Sequence, residues 1–422
     1  MIKRLLANSL VKSSMVYGVS NLVNASVPFL LLPYLTSSLT PYDYGIIAMF
    51  QVLFNLTMPF VGIGSLASIT NQFYNLDKEN YKAYNFSIVS IHLVTSLPIL
   101  LGFLLFGDFI SDVSSFPKLW LWAVLLHALN TQIIEIVLAC WRLQDKALNF
   151  GSLKVTRTII ELILTFLFIG VYSYSWDGRI LAQVGTSFIF VPIAIYFLLH
   201  GKYIKWSLKK EDIRYAVKFG LPLIPHALGA TLITYSDRLF ITNMVGLEEM
   251  GFYAVGYQIG MVIALVQNSF NQAWIPWLYS RLKENKLSVK KQVVKITYVY
   301  FGVILVIVAA VYLMLPLVFE LMVDDSFIDA LDIVIWIALG FAVNGMYKMV
   351  VGYLFYTEKT GIIGISTFST ALLNLVLNYL FILQFDAIGA AYATFVSFFV
   401  QFVLIWMVSA RNYKMPWFSF YK

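Results

Sequence analysis

About twelve apolar stretches of membrane length run through this chain, and its positive charges gather at alternate ends of them. Of 29 Lys and Arg, 24 fall in one set of connecting segments: Lys3, Arg4 and Lys12; Lys78 and Lys82; Arg142, Lys146 and Lys154; six from Lys202 to Lys218; six from Arg281 to Lys295; Lys359; and Arg411, Lys414 and Lys422. Only Lys118 and Arg179 fall in the opposite set, which instead holds acids such as Asp108, Asp112, Asp177, Glu248 and the run Asp324, Asp325, Asp329 and Asp332. Basic loops stay on the cytoplasmic side of a membrane. With about 20 apolar residues needed per helical span, the pattern predicts spans at roughly 12–36, 44–68, 84–106, 118–140, 150–172, 180–200, 218–242, 251–278, 294–318, 333–356, 361–383 and 387–409. An even number of spans puts both termini in the cytoplasm. The expected class is an all-α integral membrane protein.

Composition supports that reading. Soluble domains are about 25% charged, whereas this chain is 12% charged and 60% hydrophobic. The net charge of +7 sits in short loops, which argues against a nucleic-acid face. One cysteine, Cys140, excludes an internal disulfide and a cysteine-based metal site. The stretch from Lys12 to Thr36 is long for a signal peptide and is interrupted by Ser20, Asn21 and Asn24, so it is expected to remain as the first helix. No phosphate loop, HExxH motif or nucleophile elbow is present. Gly62-Ile63-Gly64, inside an apolar span, reads as helix packing. No enzyme activity, cofactor or metal is expected.

The basic linker divides the chain into a lobe of residues 1–200, a cytoplasmic linker 201–217 and a lobe 218–422, with six spans in each lobe. Tyr203, Ile204, Trp206, Leu208 and Ile213 alternate with lysines, as in a helix lying at the membrane interface. The halves carry weak repeats. Leu39-Thr40-Pro41-Tyr42-Asp43-Tyr44-Gly45 corresponds to Gly246-Leu247-Glu248-Glu249-Met250-Gly251, with Gly45 and Gly251 206 residues apart. Asp145-Lys146 corresponds to Glu358-Lys359 at a spacing of 213. Repeats of six spans return to the same side and are expected to be parallel. Pro222 and Pro225, beside His226, predict a kinked seventh span.

Three cations, Arg157, Arg238 and Lys348, fall at membrane depth, where an ionisable group costs roughly 2.5–3.5 kcal/mol even on the insertion scale. Lys348 is eleven residues from Lys359, about 16 Å along a helix, too far to reach the cytoplasm unaided. Arg157 has Glu161 at i+4, which makes an internal ion pair the competing reading. Glu135 is placed to pair with Arg157 or to take up a coupling proton, and Asp237 adjoins Arg238. Polar residues recur on single helix faces, among them Ser13, Asn21 and Asn24, Gln51 and Asn55, Asn344 with Lys348, and Thr370 with Asn374 and Asn378. Such stripes either line a hydrated cavity or bond helix to helix.

The sequence resembles the polysaccharide-type flippases, the Wzx-like branch of the MOP superfamily that also holds the MATE exporters and the lipid II flippase. The likeness spans almost the whole chain. It is carried by Tyr17-Gly18 with Pro28, Pro33 and Leu35, the Leu39–Gly45 turn, Phe219-Gly220-Leu221-Pro222, Asp237-Arg238-Leu239-Phe240-Ile241 and Gly251-Phe252-Tyr253-Ala254-Val255-Gly256-Tyr257. The resemblance implies two six-helix lobes enclosing a cavity and export of undecaprenyl-diphosphate-linked oligosaccharide across the bacterial inner membrane. Its implied partners are that lipid-linked substrate, membrane lipids, and the polysaccharide polymerase and glycosyltransferases of the same pathway. A cationic interior suits a diphosphate, which needs charge-assisted donors away from water. The alternative is an ion-coupled, MATE-like antiporter for small cationic compounds, which would be expected to rely on Glu135 or Asp237.

Overall fold

The computed structural model describes residues 9–418, with side chains from position 16 onward except at 226, 230, 233 and 360. Lys3, Arg4 and Lys422, and the side chains of Lys12, Ser13 and His226, therefore lie outside the described residues. Among the described residues, fifteen α-helical elements follow one another and no strand occurs. They are α1 (Ser9–Ser38), α2 (Pro41–Thr57), α3 (Leu66–Asn75), α4 (Lys78–Leu105), α5 (Gly107–Ser114), α6 (Leu121–Leu143), α7 (Ala147–Thr165) and α8 (Trp176–His200). The series continues with α9 (Lys210–Gly220), α10 (Leu223–Met244), α11 (Leu247–Gly260), α12 (Val262–Glu284), α13 (Leu287–Met322), α14 (Leu331–Tyr356) and α15 (Thr360–Asn412). Contacts group the chain into two units. Unit 1 comprises Met1–Leu39 and Ile46–Leu239, and unit 2 comprises Thr40–Gly45 and Phe240–Lys422.

Among the described residues, eight helical segments are long and apolar enough to cross a membrane, or nine if the bent pair around α9 and α10 counts as one. The twelve sequence segments thus do not map onto twelve uninterrupted apolar helices, and each difference has a cause. The second segment is broken between α2 and α3 at Gly62, Ile63 and Gly64, whose φ values are 78°, 51° and 64°. Three consecutive left-handed residues cannot continue an α-helix, so this motif is a helix break as well as a packing motif, with Gly64 set closely against the Gly220 carbonyl. The fifth segment, α7, carries Lys154, Arg157 and Glu161 within eight residues, which removes it from the apolar set. The seventh is interrupted between α9 and α10 at Leu221-Pro222, the expected proline break, and it bends by 54° at a second place, between Lys210–Gly229 and Thr234–Met244. The last two segments share the label α15 but are two helices, 360–385 and 387–412, divided at Asp386 (φ 54°, ψ −146°) where the expected spans part. Gly389 backs directly onto the Phe381 carbonyl. Those residues would be about 12 Å apart in a straight helix, so the chain reverses there.

The break at Gly62 exposes main-chain groups that lipid could not satisfy. Neighbouring helices supply them. Thr95 of α4 accepts from the Gly62 amide at 2.8 Å, and Gln132 of α6 donates to the carbonyls of Met58 (3.1 Å) and Val61 (3.5 Å). The His92 ring fills the space beside Gly62 that a side chain would need.

Unit 1 has its core where α3, α4, α6, α7 and α8 meet, around Ile69, Tyr84, Ile134, Trp141, Phe150 and Phe190. Residues 203–209 are not the expected interfacial helix. They run as an irregular strap, and helix begins only at Lys210. The strap is pinned by buried Tyr203, whose hydroxyl donates to Gln144 at 3.1 Å and accepts from Lys146 at 2.7 Å, while its carbonyl accepts from Asn85 at 3.0 Å.

Unit 2 packs α12, α13, α14 and α15 around Trp274, Tyr300, Met349, Tyr353 and Phe402. It also contains the two turns matched in sequence at a spacing of 206. Gly45 lies against the Leu247 carbonyl, and Gly251 lies against the Pro41 carbonyl. The contact is reciprocal, because Pro41 and Leu247 are themselves separated by 206 residues. A Cβ on either glycine would overlap main chain on the other turn.

The second repeat is equally visible in the backbone. Between α6 and α7, the amides of Gln144, Asp145 and Lys146 bond the carbonyls of Cys140, Arg142 and Trp141 at 3.2, 3.2 and 2.8 Å. Between α14 and α15, Thr357, Glu358 and Lys359 bond Tyr353, Phe355 and Leu354 at 3.0, 3.1 and 2.9 Å. Asp145 and Glu358 both turn the chain through a left-handed residue, with φ of 56° and 58°. Every member of one turn is 213 residues from its counterpart in the other.

Candidate functional site

The cations expected at membrane depth distribute between the units. In unit 1, α7 crosses beside α1, α6 and α8. Arg157 lies ten residues into α7, about 15 Å along its axis, and donates to Thr131 of α6 at 3.1 Å. The Arg157–Glu161 ion pair does not form. Arg157 faces α6, whereas Glu161 reaches α8 and pairs with Arg179 at 2.7 Å. Arg179 also donates to buried Thr165 at 2.9 Å.

The charge pattern puts Arg179 in an outer loop. It is instead only 8% exposed, in the first turn of α8. Its long guanidinium arm can fold into the helix interface from that turn while the backbone remains near the end of the span. Lys154, expected in a cytoplasmic loop, sits on α7 three residues before Arg157, half-buried, and donates to Asn21 of α1 at 3.0 Å. Asn24 accepts from Thr158 at 2.8 Å. The α1 asparagines therefore serve as bonding partners for α7, although both retain exposed surface. Glu135 of α6 is half-buried, one turn along the helix from Thr131. Its carboxylate makes no hydrogen bond or ion pair among the described residues.

Other expected residues have different surroundings. Gln51 and Asn55 are half-buried on α2, and Asn55 bonds back to the Gln51 carbonyl at 2.7 Å. Asp237 is buried and accepts from the Arg238 amide at 2.8 Å, while the Arg238 guanidinium stacks over Tyr235 at 4.6 Å. In unit 2, Lys348 of α14 is half-buried and donates to Asn268 of α12 at 2.5 Å. One turn away on α14, Asn344 accepts from Gln267 at 3.2 Å. No carboxylate pairs with Lys348 among the described residues. Asn374 is buried and accepts from Asn378 on its own helix at 3.0 Å.

Residues 10–283 match the model of the polysaccharide biosynthesis protein family, well over half the chain. The chain belongs to that family. Membership places it in polysaccharide biosynthesis. It is 27% identical over 366 residues to an uncharacterized membrane protein of Haemophilus influenzae, covering 83% of this chain and 85% of that one. Two solved structures share the fold. One is an inward-facing multidrug resistance MATE family transporter of the MOP superfamily, at TM-score 0.74, 13% identity, and coverage of 92% of this chain and 94% of that one. The other is the lipid II flippase MurJ in an inward closed conformation, at TM-score 0.73, 14% identity, and coverage of 95% and 87%. The all-α architecture of this family member is thus the fold that these two solved structures have.

Proposed function

We propose that the protein flips undecaprenyl-diphosphate-linked oligosaccharide units from the cytoplasmic to the outer leaflet of the bacterial inner membrane, by alternating access, for surface polysaccharide assembly. The observation that carries this reading is Lys348. It is a cation in mid-helix whose hydrogen-bond partner is the neutral Asn268. Removing such a charge from water costs several kcal/mol unless it is compensated, and a diphosphate would compensate it with a charge-assisted bond. Arg157 and Arg238 supply further cations in unit 1.

A bare cation repels the small cationic compounds that a MATE-like antiporter would carry, so the anionic substrate is favoured. An inside-negative potential would add roughly 2.3 kcal/mol per charge per 100 mV to outward movement of an anion. The pathway's polymerase and glycosyltransferases would act on either side of this step. The test is replacement of Lys348 by Ala, followed by leaflet-resolved measurement of lipid-linked oligosaccharide. Accumulation on the cytoplasmic leaflet is expected. Normal surface polysaccharide in that variant would remove Lys348 from the mechanism.

A further inference from the structure

The hydrogen bonds around Lys348 leave several oxygens over. On α12, Gln267 donates to Asn344 at 3.2 Å and Asn268 accepts from Lys348 at 2.5 Å. The Gln267 Oε1 and Asn271 Oδ1 atoms are nevertheless buried without a hydrogen-bond partner. Tyr300 of α13, itself buried, makes no hydrogen bond through its hydroxyl among the described residues.

These groups converge on one face of α14. A Cβ placed on Gly345 would fall 2.6 Å from the Tyr300 hydroxyl and 3.2 Å from Gln267 Oε1, so both oxygens approach the same bare position. Gln267 meets Asn344, Asn268 meets Lys348, and Leu278 lies 2.8 Å from the Cβ that Gly352 lacks. The contacts advance together along both helices, which therefore run side by side in the same direction. Asn271, one turn beyond Gln267, stands at the level of Lys348, one turn beyond Asn344. Phe270 stacks on Tyr300 at 4.7 Å and is exposed, as is Asn268, so the unpartnered oxygens lie just beneath an accessible face.

From this arrangement we infer that Gln267, Asn271 and Tyr300 form a sugar subsite beside Lys348, which receives the sugar joined directly to the diphosphate. The inference rests on the lipid-diphosphate reading above and deepens it. Buried acceptors call for donors, and the parts of a lipid-linked oligosaccharide differ in what they bring. Ionised phosphate oxygens only accept, and an isoprenoid chain neither donates nor accepts. Sugar hydroxyls and an acetamido N–H donate, and a hydroxyl can also accept from Tyr300. The first sugar is the donor-bearing part closest to a phosphate held by Lys348. A small cation with N–H groups could donate too, but Lys348 repels it.

The test uses the full-length protein in lipid nanodiscs and two synthetic probes of equal charge. Both are geranyl diphosphate esterified at the far phosphate, one by methanol and the other by C1 of N-acetylglucosamine. The parent is expected to hold the sugar ester about tenfold tighter than the methyl ester, the sum of a few modest hydrogen bonds. Gln267→Met, Asn271→Leu and Tyr300→Phe should each cut that ratio about threefold, with affinity for the methyl ester within about twofold of the parent. Tyr300→Phe removes a single oxygen and carries the test where a Gln267 variant does not fold. Lys348→Ala should weaken both esters alike and leave their ratio in place. A ratio near one in the parent, or an unchanged ratio in all three subsite variants, overturns the sugar subsite, while Lys348-dependent binding of the methyl ester keeps the lipid-diphosphate reading standing. If the parent binds neither ester, that reading falls and the subsite falls with it.

Discussion

Glu135 and Lys348 occupy the same position in two matching helical hairpins, each ten residues before the left-handed residue that turns the chain, Asp145 in one and Glu358 in the other. The hairpins share their turn bonds, but the charge at this position is inverted. In unit 1 the position holds an acid on α6, and the following helix α7 carries the cations Lys154 and Arg157. In unit 2 a lone cation stands on α14, and the positions equivalent to Lys154 and Arg157 are Thr367 and Thr370. If Lys348 serves as an anion dock, its sign matters more than its shape. Lys348→Arg should retain most polysaccharide export in a complemented deletion strain, Lys348→Ala should lower it about tenfold, and Lys348→Glu should abolish it. Equal loss in all three would point to packing.

The Glu161–Arg179 pair is a stability element of unit 1, with side chains 20% and 9% exposed. Removing one partner of a buried pair strands the other charge and typically costs about 3–5 kcal/mol. Arg179→Met and Glu161→Leu should each lower the unfolding midpoint in detergent, while the double variant recovers most of the loss. Additive losses in the double variant would show that the pair is not coupled.

The reciprocal glycine seam sets a steric limit. Gly45→Ala and Gly251→Ala each push a methyl into main chain, an overpacking worth about 1–3 kcal/mol or more. Gly102, where an added methyl would meet nothing within 4 Å, is the control, since Ala in mid-helix gains roughly 0.5–1 kcal/mol. Expression of folded protein, read by size-exclusion chromatography, should fall for the first two and hold for Gly102→Ala.

At the start of α4, outside the spanning segment, Asp77 accepts from the amides of Glu79 and Asn80, both at 3.0 Å. The Asn80 amide first of all, then the Asn80 side chain, holds its carboxyl below the usual carboxylate range. A depressed folded-state pKa contributes stability above the unfolded value and loses it as pH falls through the folded value. Hydrogen exchange at the first turn of α4 should therefore quicken as pH drops below about 3.9, after correction for intrinsic rates. Asp77→Asn should flatten that dependence. The same pH dependence in the variant would assign the effect to another group.

The broad plan is readable in the sequence because hydropathy and the lysine-rich loops follow membrane energetics directly. The Asp145 and Glu358 turns are also readable, since a short charged motif recurs at a fixed spacing. The interior charges are not. A lysine near a span end normally snorkels to water, which points Lys154 to a loop, yet it lies on α7 and the Asn21 amide oxygen holds it against α1. Arg157 and Glu161 sit at the spacing of an intrahelical pair, but each is claimed by a different neighbouring helix. Sequence spacing reports which residues share a face and not which helix that face meets. Gly62-Ile63-Gly64 is legible as a close-packing motif, but its apolar surroundings conceal a turn whose hydrogen bonds come from Thr95 and Gln132.

The seam between Gly45 and Gly251 is made of main chain on both sides. Such a joint imposes a prohibition and no preference, since it demands only that nothing project at two positions. Most side chains around it are then free to change without disturbing how the two turns fit. A fold built on joints of this kind can persist while its amino acids drift toward the 13–14% identity seen with the solved structures that share it.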